Sequence, residues 1–213
     1  MRLWGLPLRG NGDTALYTVV RWIVVLIFGG LYRCRARGAE HLPASGPAVI
    51  VVNHQANLDP LVLGMVFDRP LRFMAKKELF KFGPLAKVVT ALGAFPIDRG
   101  AGDRAALEQS LAVLKAGGVL MMFPEGHRYR DGRVHEFMPG VGMLAVRGRA
   151  VVVPAVSWGT PLMWKDGRPG FPALRVQVGP PVDLSDLEGR GSKVYAEAAA
   201  RMHAAVSELY ERV

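Results

Sequence analysis

Short apolar runs separated by polar turns recur along the chain, and stretches with helical spacing stand between them. Residues 48–52 (Ala-Val-Ile-Val-Val) follow a Gly46-Pro47 turn and hold no polar side chain, as a strand buried on both faces should. Asp59-Pro60 predicts a helix start, with Asp to cap exposed amides and Pro tolerated at the first position, running to about Phe67. Residues 71–75, 93–97, 119–123 and 150–156 read as further strands, the third cut short by Pro124. Residues 174–178 alternate apolar and polar, the pattern of a half-exposed strand. Residues 103–116 place Leu107, Leu111 and Leu114 on one helical face and stop at Gly117-Gly118. The last element is a helix over Ser192–Glu211 with Val194, Ala198, Met202, Ala205 and Leu209 as its stripe. Strands alternating with helices predict an α/β fold: a single domain with a mostly parallel central sheet flanked by helices. No repeat or low-complexity linker interrupts it.

Residues 14–32 break this rhythm, being apolar throughout except for Arg21. The charge-free run from Trp22 to Tyr32 is 11 residues, against the roughly 20 that a spanning helix needs. An arginine in mid-span would cost on the order of 2.5–3.5 kcal/mol. Arg33, Arg35 and Arg37 directly after the run do not suit a signal-peptide cleavage site. The reading is an N-terminal apolar membrane-associated helix lying in the interface, with Trp22 and Tyr32 at headgroup level and the arginines on lipid phosphate. A buried core helix and a tilted single span are the alternatives. The chain then divides into a membrane-associated segment, residues 1–38, and the α/β domain, residues 39–213. The basic flank puts that domain on the cytoplasmic side of the cell membrane.

Composition narrows the class. The 213 residues are 50% hydrophobic, which excludes a disordered chain, and suit one core. The formal net charge of +9 calls for an anionic partner such as a membrane surface or a phosphorylated substrate. No recognition-helix pattern or aromatic-basic interleaving stands out, so no nucleic acid is expected. The single cysteine, Cys34, excludes a disulfide framework, and the histidines are too scattered for a zinc site.

Three polar clusters follow predicted strands, at the ends where α/β sheets bind ligands. The first, residues 53–59, holds His54 and Asp59 across a five-residue turn, so the carboxylate is within reach to orient the imidazole. Taken singly, Asp59 also fits a helix cap and His54 an ordinary loop histidine. The second, residues 93–99, ends in Asp98-Arg99, either a surface ion pair or an Arg presented to an anion. The third is Phe123-Pro124-Glu125-Gly126-His127-Arg128, where Pro124 stops the strand and Gly126 allows close backbone approach.

Together these blocks resemble the 1-acylglycerol-3-phosphate acyltransferase (lysophosphatidic acid acyltransferase) family of glycerolipid acyltransferases. The matching positions are Asn53-His54-x4-Asp59, Lys76-Lys77-Glu78-Leu79, Phe95-x-Ile97-Asp98-Arg99, Phe123-Pro124-Glu125-Gly126-x-Arg128 and Val153-Pro154, in the family's order over about residues 35–180. The chain departs from the family pattern at Ala56, His127, Tyr129 and Met138. The resemblance implies acyl transfer from acyl-CoA or an acyl carrier protein thioester to the hydroxyl of a lysophospholipid acceptor, by default lysophosphatidic acid. His54 and Asp59 are then the catalytic pair, general base and orienting carboxylate. Arg99 and Arg128 clamp the phosphate, and Glu125 holds Arg128 or touches the glycerol. Lys76 or amides near Gly126 face the oxyanion. The resemblance implies no metal and no organic cofactor.

Two readings of other classes stand beside it. Ala155-Val156-Ser157-Trp158-Gly159 approximates a nucleophile elbow, with His203 downstream, as in a serine esterase. A non-enzymatic membrane-binding protein accounts for the charge and the apolar N-terminus, but not for the three polar clusters.

Overall fold

The computed structural model describes residues 15–97, 104–165 and 167–213. At its centre is strand β2 (Ala48–Val52), all five residues of which are buried. It lies between β5 (Val119–Met122) and β6 (Val151–Trp158), with Ile50 opposite Met121 on one side and Val153 on the other. Beyond β5 come β3 (Leu71–Lys76) and then β4 (Ala94–Ile97). Beyond β6 come β9 (Arg175–Val178) and the edge strand β1 (Arg35–Arg37). Strands β2 to β6 run parallel, whereas β9 is antiparallel to β6 and carries β1 with it. The predicted strands therefore form one mostly parallel sheet, and the half-exposed one is its antiparallel exception. Every parallel strand points its carboxyl end the same way, which gathers the first and third polar clusters at one end.

Alternate side chains of β2 explain the two layers. Ala48, Ile50 and Val52 face a core shared with Val62 and Leu63 of α2 (Asp59–Gly64) and Phe28 of the N-terminal helix. Val49 and Val51 face a core built with Leu114 of α4 (Arg104–Lys115), Leu144 of α5 (Pro139–Gly148) and Met202 of α6 (Ser192–Glu211). Helices α5 and α6 touch closely because Gly142 has no side chain: a Cβ there would strike the Tyr195 carbonyl. Of the expected stripe of α6, Ala198, Met202 and Leu209 are buried, joined by Ala199 and Val206, while Val194 and Ala205 are half-buried.

Several elements differ from expectation. Helix α2 stops at Gly64 rather than near Phe67, where the chain turns into the Asp68-Arg69-Pro70 segment. Helix α3 (Gly83–Ala91) and α5 were not anticipated. Both open on Gly/Pro punctuation that reads as a loop, yet Pro84 and Pro139 occupy the helix start, where a missing N–H costs nothing. The expected helix over 103–116 is α4, and Asp103 lies outside the described residues.

The N-terminal run forms helix α1 (Ala15–Val25), which continues as a π-helical turn, Leu26–Leu31. Arg21, which interrupts the apolar pattern in sequence, is turned inward: it is 7% exposed and its Nη2 donates to the Phe67 carbonyl at 2.9 Å. The outward residues Val19, Trp22, Ile23, Leu26 and Ile27 are consequently all apolar. Tyr32 is not at the surface as expected but buried, its ring against Phe28 and Phe171 at 5.6 and 5.7 Å. Among the described residues no helix is long and apolar enough to cross a membrane.

Candidate active site

The site begins where β2 ends. Asn53, fully buried, clasps the backbone of Ser157 from both sides, its Nδ2 donating to the carbonyl at 3.1 Å and its Oδ1 accepting from the amide at 2.9 Å. This pins the end of β2 to β6 and aims the next residue, His54, over the carboxyl edge of the sheet. The His54 backbone is held twice more: its amide donates to Glu125 Oε1 (3.2 Å) and its carbonyl accepts from the Tyr129 amide (2.9 Å). The imidazole stacks on Phe123 at 4.1 Å. With backbone and ring both constrained, Nδ1 lies 3.0 Å from Asp59 Oδ2.

Asp59 is completely buried, whereas the His54 side chain keeps 12% exposure. The carboxylate does not cap α2 as its position suggests; it turns back into the loop. Oδ2 accepts from the amides of Gln55 and Ala56, each at 2.8 Å, as well as from His54. Oδ1 accepts from the Thr160 hydroxyl at 2.6 Å. A buried carboxylate with four donors is fixed in place and cannot swing. In the tautomer that donates Nδ1–H to this carboxylate, Nε2 keeps its lone pair, the state a general base requires. Gln55 Nε2 ties this loop to Tyr210 of α6 at 2.8 Å.

Thr160 was not anticipated, because a threonine in a Gly-Thr-Pro turn carries no distinctive sequence signal. It lies 101 residues from Asp59 and meets it only because β6 neighbours β2. A hydrogen bond to a charged group contributes about 1.5–3 kcal/mol. Thr160→Val should therefore lower kcat roughly ten- to hundredfold with little change in KM, and Thr160→Ser should restore it. Equal losses in both variants would contradict the assignment.

Glu125 is buried against the His54 amide, and its Oε2 has no hydrogen-bond partner among the described residues. Burial pushes its carboxyl up to about 7; the His54 amide opposes this, while Asp131 and Asp59 add to it. The folded chain thus binds this proton more tightly than the unfolded one. The stabilisation is full below about pH 4.5 and is lost as the pH rises through 7, by at most about 3 kcal/mol. Glu125→Gln should flatten that decline, so its stability relative to wild type should rise between pH 5 and pH 8 in denaturant titrations. Parallel curves would contradict it.

The other expected residues are less closely drawn in. Gly126 turns with φ +72°, its amide donates to the Phe123 carbonyl, and Met138 Sδ occupies the space a Cβ would need. Arg128 is exposed and forms no ion pair with Glu125. Lys76 ends β3, exposed, at the same end of the sheet. Arg99 lies outside the described residues. Among the described residues no group of three His, Cys, Asp or Glu side chains could hold a metal ion.

The serine-esterase constellation does not form. Ser157 is inaccessible and its Oγ has no hydrogen-bond partner among the described residues, while His203 sits on α6 beside Ser207 and edge-on to Phe137. Burial pushes the Cys34 thiol up to about 12, so it supplies no thiolate.

The chain is similar to known proteins. The crystal structure of the 1-acyl-sn-glycerophosphate (LPA) acyltransferase from Thermotoga maritima superposes with a TM-score of 0.69 at 25% identity, covering 91% of this chain and 79% of that one. A chloroplastic 1-acyl-sn-glycerol-3-phosphate acyltransferase of Arabidopsis thaliana is 30% identical over 153 residues, 70% of this chain and 42% of the relative. The human 1-acyl-sn-glycerol-3-phosphate acyltransferase alpha is 35% identical over 162 residues, 73% of this chain and 56% of the relative. The chain thus spans about half the length of these curated relatives. The profile of the Acyltransferase family matches residues 33–158, a stretch that includes both members of the imidazole–carboxylate pair, and the chain belongs to that family.

Proposed function

We propose that the protein transfers a fatty acyl group from an acyl-CoA or acyl carrier protein thioester to the free hydroxyl of lysophosphatidic acid, giving phosphatidic acid for phospholipid biosynthesis. The observation that carries this is the 3.0 Å contact between His54 Nδ1 and a fully buried Asp59, at the carboxyl edge of the sheet. The names of the relatives support the acceptor.

In this reading His54 Nε2 removes the proton of the acceptor hydroxyl, and the alkoxide attacks the thioester carbonyl. Asp59 stabilises the imidazolium that results. Collapse of the tetrahedral intermediate breaks the carbon–sulfur bond, and the imidazolium returns its proton to the departing thiolate. The products are the ester and a free thiol, with no acyl-enzyme between. The oxyanion is met by the Lys76 ammonium or by amides following Gly126, whose own amide is already engaged. Arg99 and Arg128 grip the acceptor phosphate through their guanidinium forks. Glu125, whose side chain forms no ion pair with Arg128, is left in this reading to touch the glycerol. No metal or organic cofactor enters the scheme. Incubation of a labelled acyl thioester with a panel of lysolipids, followed by product chromatography, tests it. Labelled phosphatidic acid is expected. Preference for another lysophospholipid would reassign the acceptor, and no product with any acceptor would refute the reading.

Residues 1–38 hold the enzyme at a membrane in this account, and the uncharged outward face of α1 supports it. The interface positions the catalytic domain, residues 39–213, on the cytoplasmic side, as a peripheral or monotopic protein. Deleting residues 1–32 should release the protein from vesicles in sedimentation assays. Undiminished co-sedimentation would refute the anchor.

A further inference from the structure

Strand β6 leaves the sheet at the catalytic end, and the segment after it is unusually apolar for a surface. It runs from Thr160 through a two-stranded hairpin, β7 (Trp164–Lys165) and β8 (Arg168–Pro169), to Phe171. Trp164 is 64% exposed and Phe171 54%, with Leu162 also open to solvent. Exposing large apolar rings on so small an element forgoes the stabilisation that burial supplies, about 1.5–3 kcal/mol for a large side chain. Such an excess marks a surface with a partner.

Three observations identify that partner as a bilayer. The first is continuity: the Phe171 ring lies 5.7 Å from Tyr32, which directly follows the π-helical turn whose Leu26, Ile27 and Leu31 are exposed. The hairpin therefore extends the apolar face of α1 instead of forming a separate patch. The second is charge. Arg33, directly after Tyr32, and Arg168, on β8, are exposed. Tryptophan flanked by guanidinium groups suits the headgroup layer of an anionic bilayer. The third is position: Thr160, at the root of the segment, hydrogen-bonds Asp59, so the hairpin is tied directly to the carboxylate that holds His54.

We infer that the hairpin between Thr160 and Phe171 inserts Trp164 and Phe171 into the headgroup region of an anionic bilayer, as a second docking element that seats the His54–Asp59 pair against the lipid surface. The inference rests on the proposed lipid acceptor, but binding can be read without turnover. Full-length protein retaining only Trp164, through Trp4→Phe, Trp22→Phe and Trp158→Phe, is mixed with phosphatidylcholine–phosphatidylglycerol vesicles. The expected result is a blue shift of emission and at least a twofold quench by brominated acyl chains.

In the otherwise unaltered chain, Trp164→Asp should weaken vesicle binding about tenfold. It should leave turnover of a short-chain, monomeric lysophosphatidate unchanged. Vesicle binding with no shift or quench of Trp164, no vesicle binding at all, or a shift produced by an acidic carrier protein and not by vesicles would overturn the inference. A quenched Trp164 in a protein that acylates no lysolipid would uphold the docking surface and refute the proposed reaction instead.

Discussion

Replacing His54 by alanine should lower kcat at least a thousandfold while leaving the fold intact. General-base catalysis alone contributes about a hundred- to ten-thousandfold, and here the same imidazole also reprotonates the leaving thiolate. The side chain stacks on Phe123 and retains some access to solvent, so its removal leaves a small, openable gap rather than a sealed cavity. The backbone contacts to Glu125 and Tyr129 do not depend on the ring. Circular dichroism and thermal melting should therefore resemble wild type, while acyl transfer disappears. Activity within tenfold of wild type in a folded variant would remove His54 from the mechanism.

Asp59→Asn should lose nearly as much activity and, unlike the first variant, lose stability as well. An amide at this position keeps the shape but presents one donor and one acceptor where the carboxylate accepts on both oxygens. If the amide nitrogen replaces Oδ2, it faces the Gln55 and Ala56 amides donor to donor; if it replaces Oδ1, it faces the Thr160 hydroxyl. In either orientation the negative charge that stabilises the imidazolium is gone, and in the first the proton on Nδ1 is no longer held. An analogous buried Asp→Asn change beside a catalytic imidazole costs about ten-thousandfold. We expect a loss of a thousandfold or more in kcat, with a drop in stability of about 1–3 kcal/mol from the mismatched buried donors. Near-normal kcat would mean that Asp59 only closes the loop.

Much of this geometry can be read from residue order, because its elements are local. His54 and Asp59 are five residues apart, so a single turn after a buried strand suffices to join them. The parallel strands are recognisable because runs such as Ala-Val-Ile-Val-Val have no polar face. What resists sequence reading depends on distance along the chain. Thr160 reaches Asp59, and Asn53 reaches Ser157, only through the adjacency of β2 and β6, across 101 and 104 residues. Helix α5 was hidden because Gly140 and Gly142 lower its helical propensity, and the reason for Gly142 is the Tyr195 carbonyl on another helix. The inward turn of Arg21 is a similar case. In sequence it breaks the apolar run, whereas in the fold it satisfies the Phe67 carbonyl in the turn after α2 and leaves the outer face uncharged.

The two unanticipated contacts also change how the pair is understood. An Asp acting as a simple helix cap would be exposed and free to rotate. Here four donors fix both oxygens, and they come from the loop, the base and a neighbouring strand's turn. Such a carboxylate orients the imidazole before substrate arrives, so little reorganisation remains for the reaction itself.

The central claim is that His54 activates the acceptor hydroxyl and that the acyl group never rests on the protein. The most direct test is to mix purified full-length protein with a radiolabelled acyl thioester in the absence of lysolipid, quench with acid, and measure label on the polypeptide before and after lysophosphatidic acid is added. The account predicts unlabelled protein before addition and label passing straight into phosphatidic acid afterwards. Stoichiometric label on the chain before acceptor is present, chased into product on its addition, would contradict it.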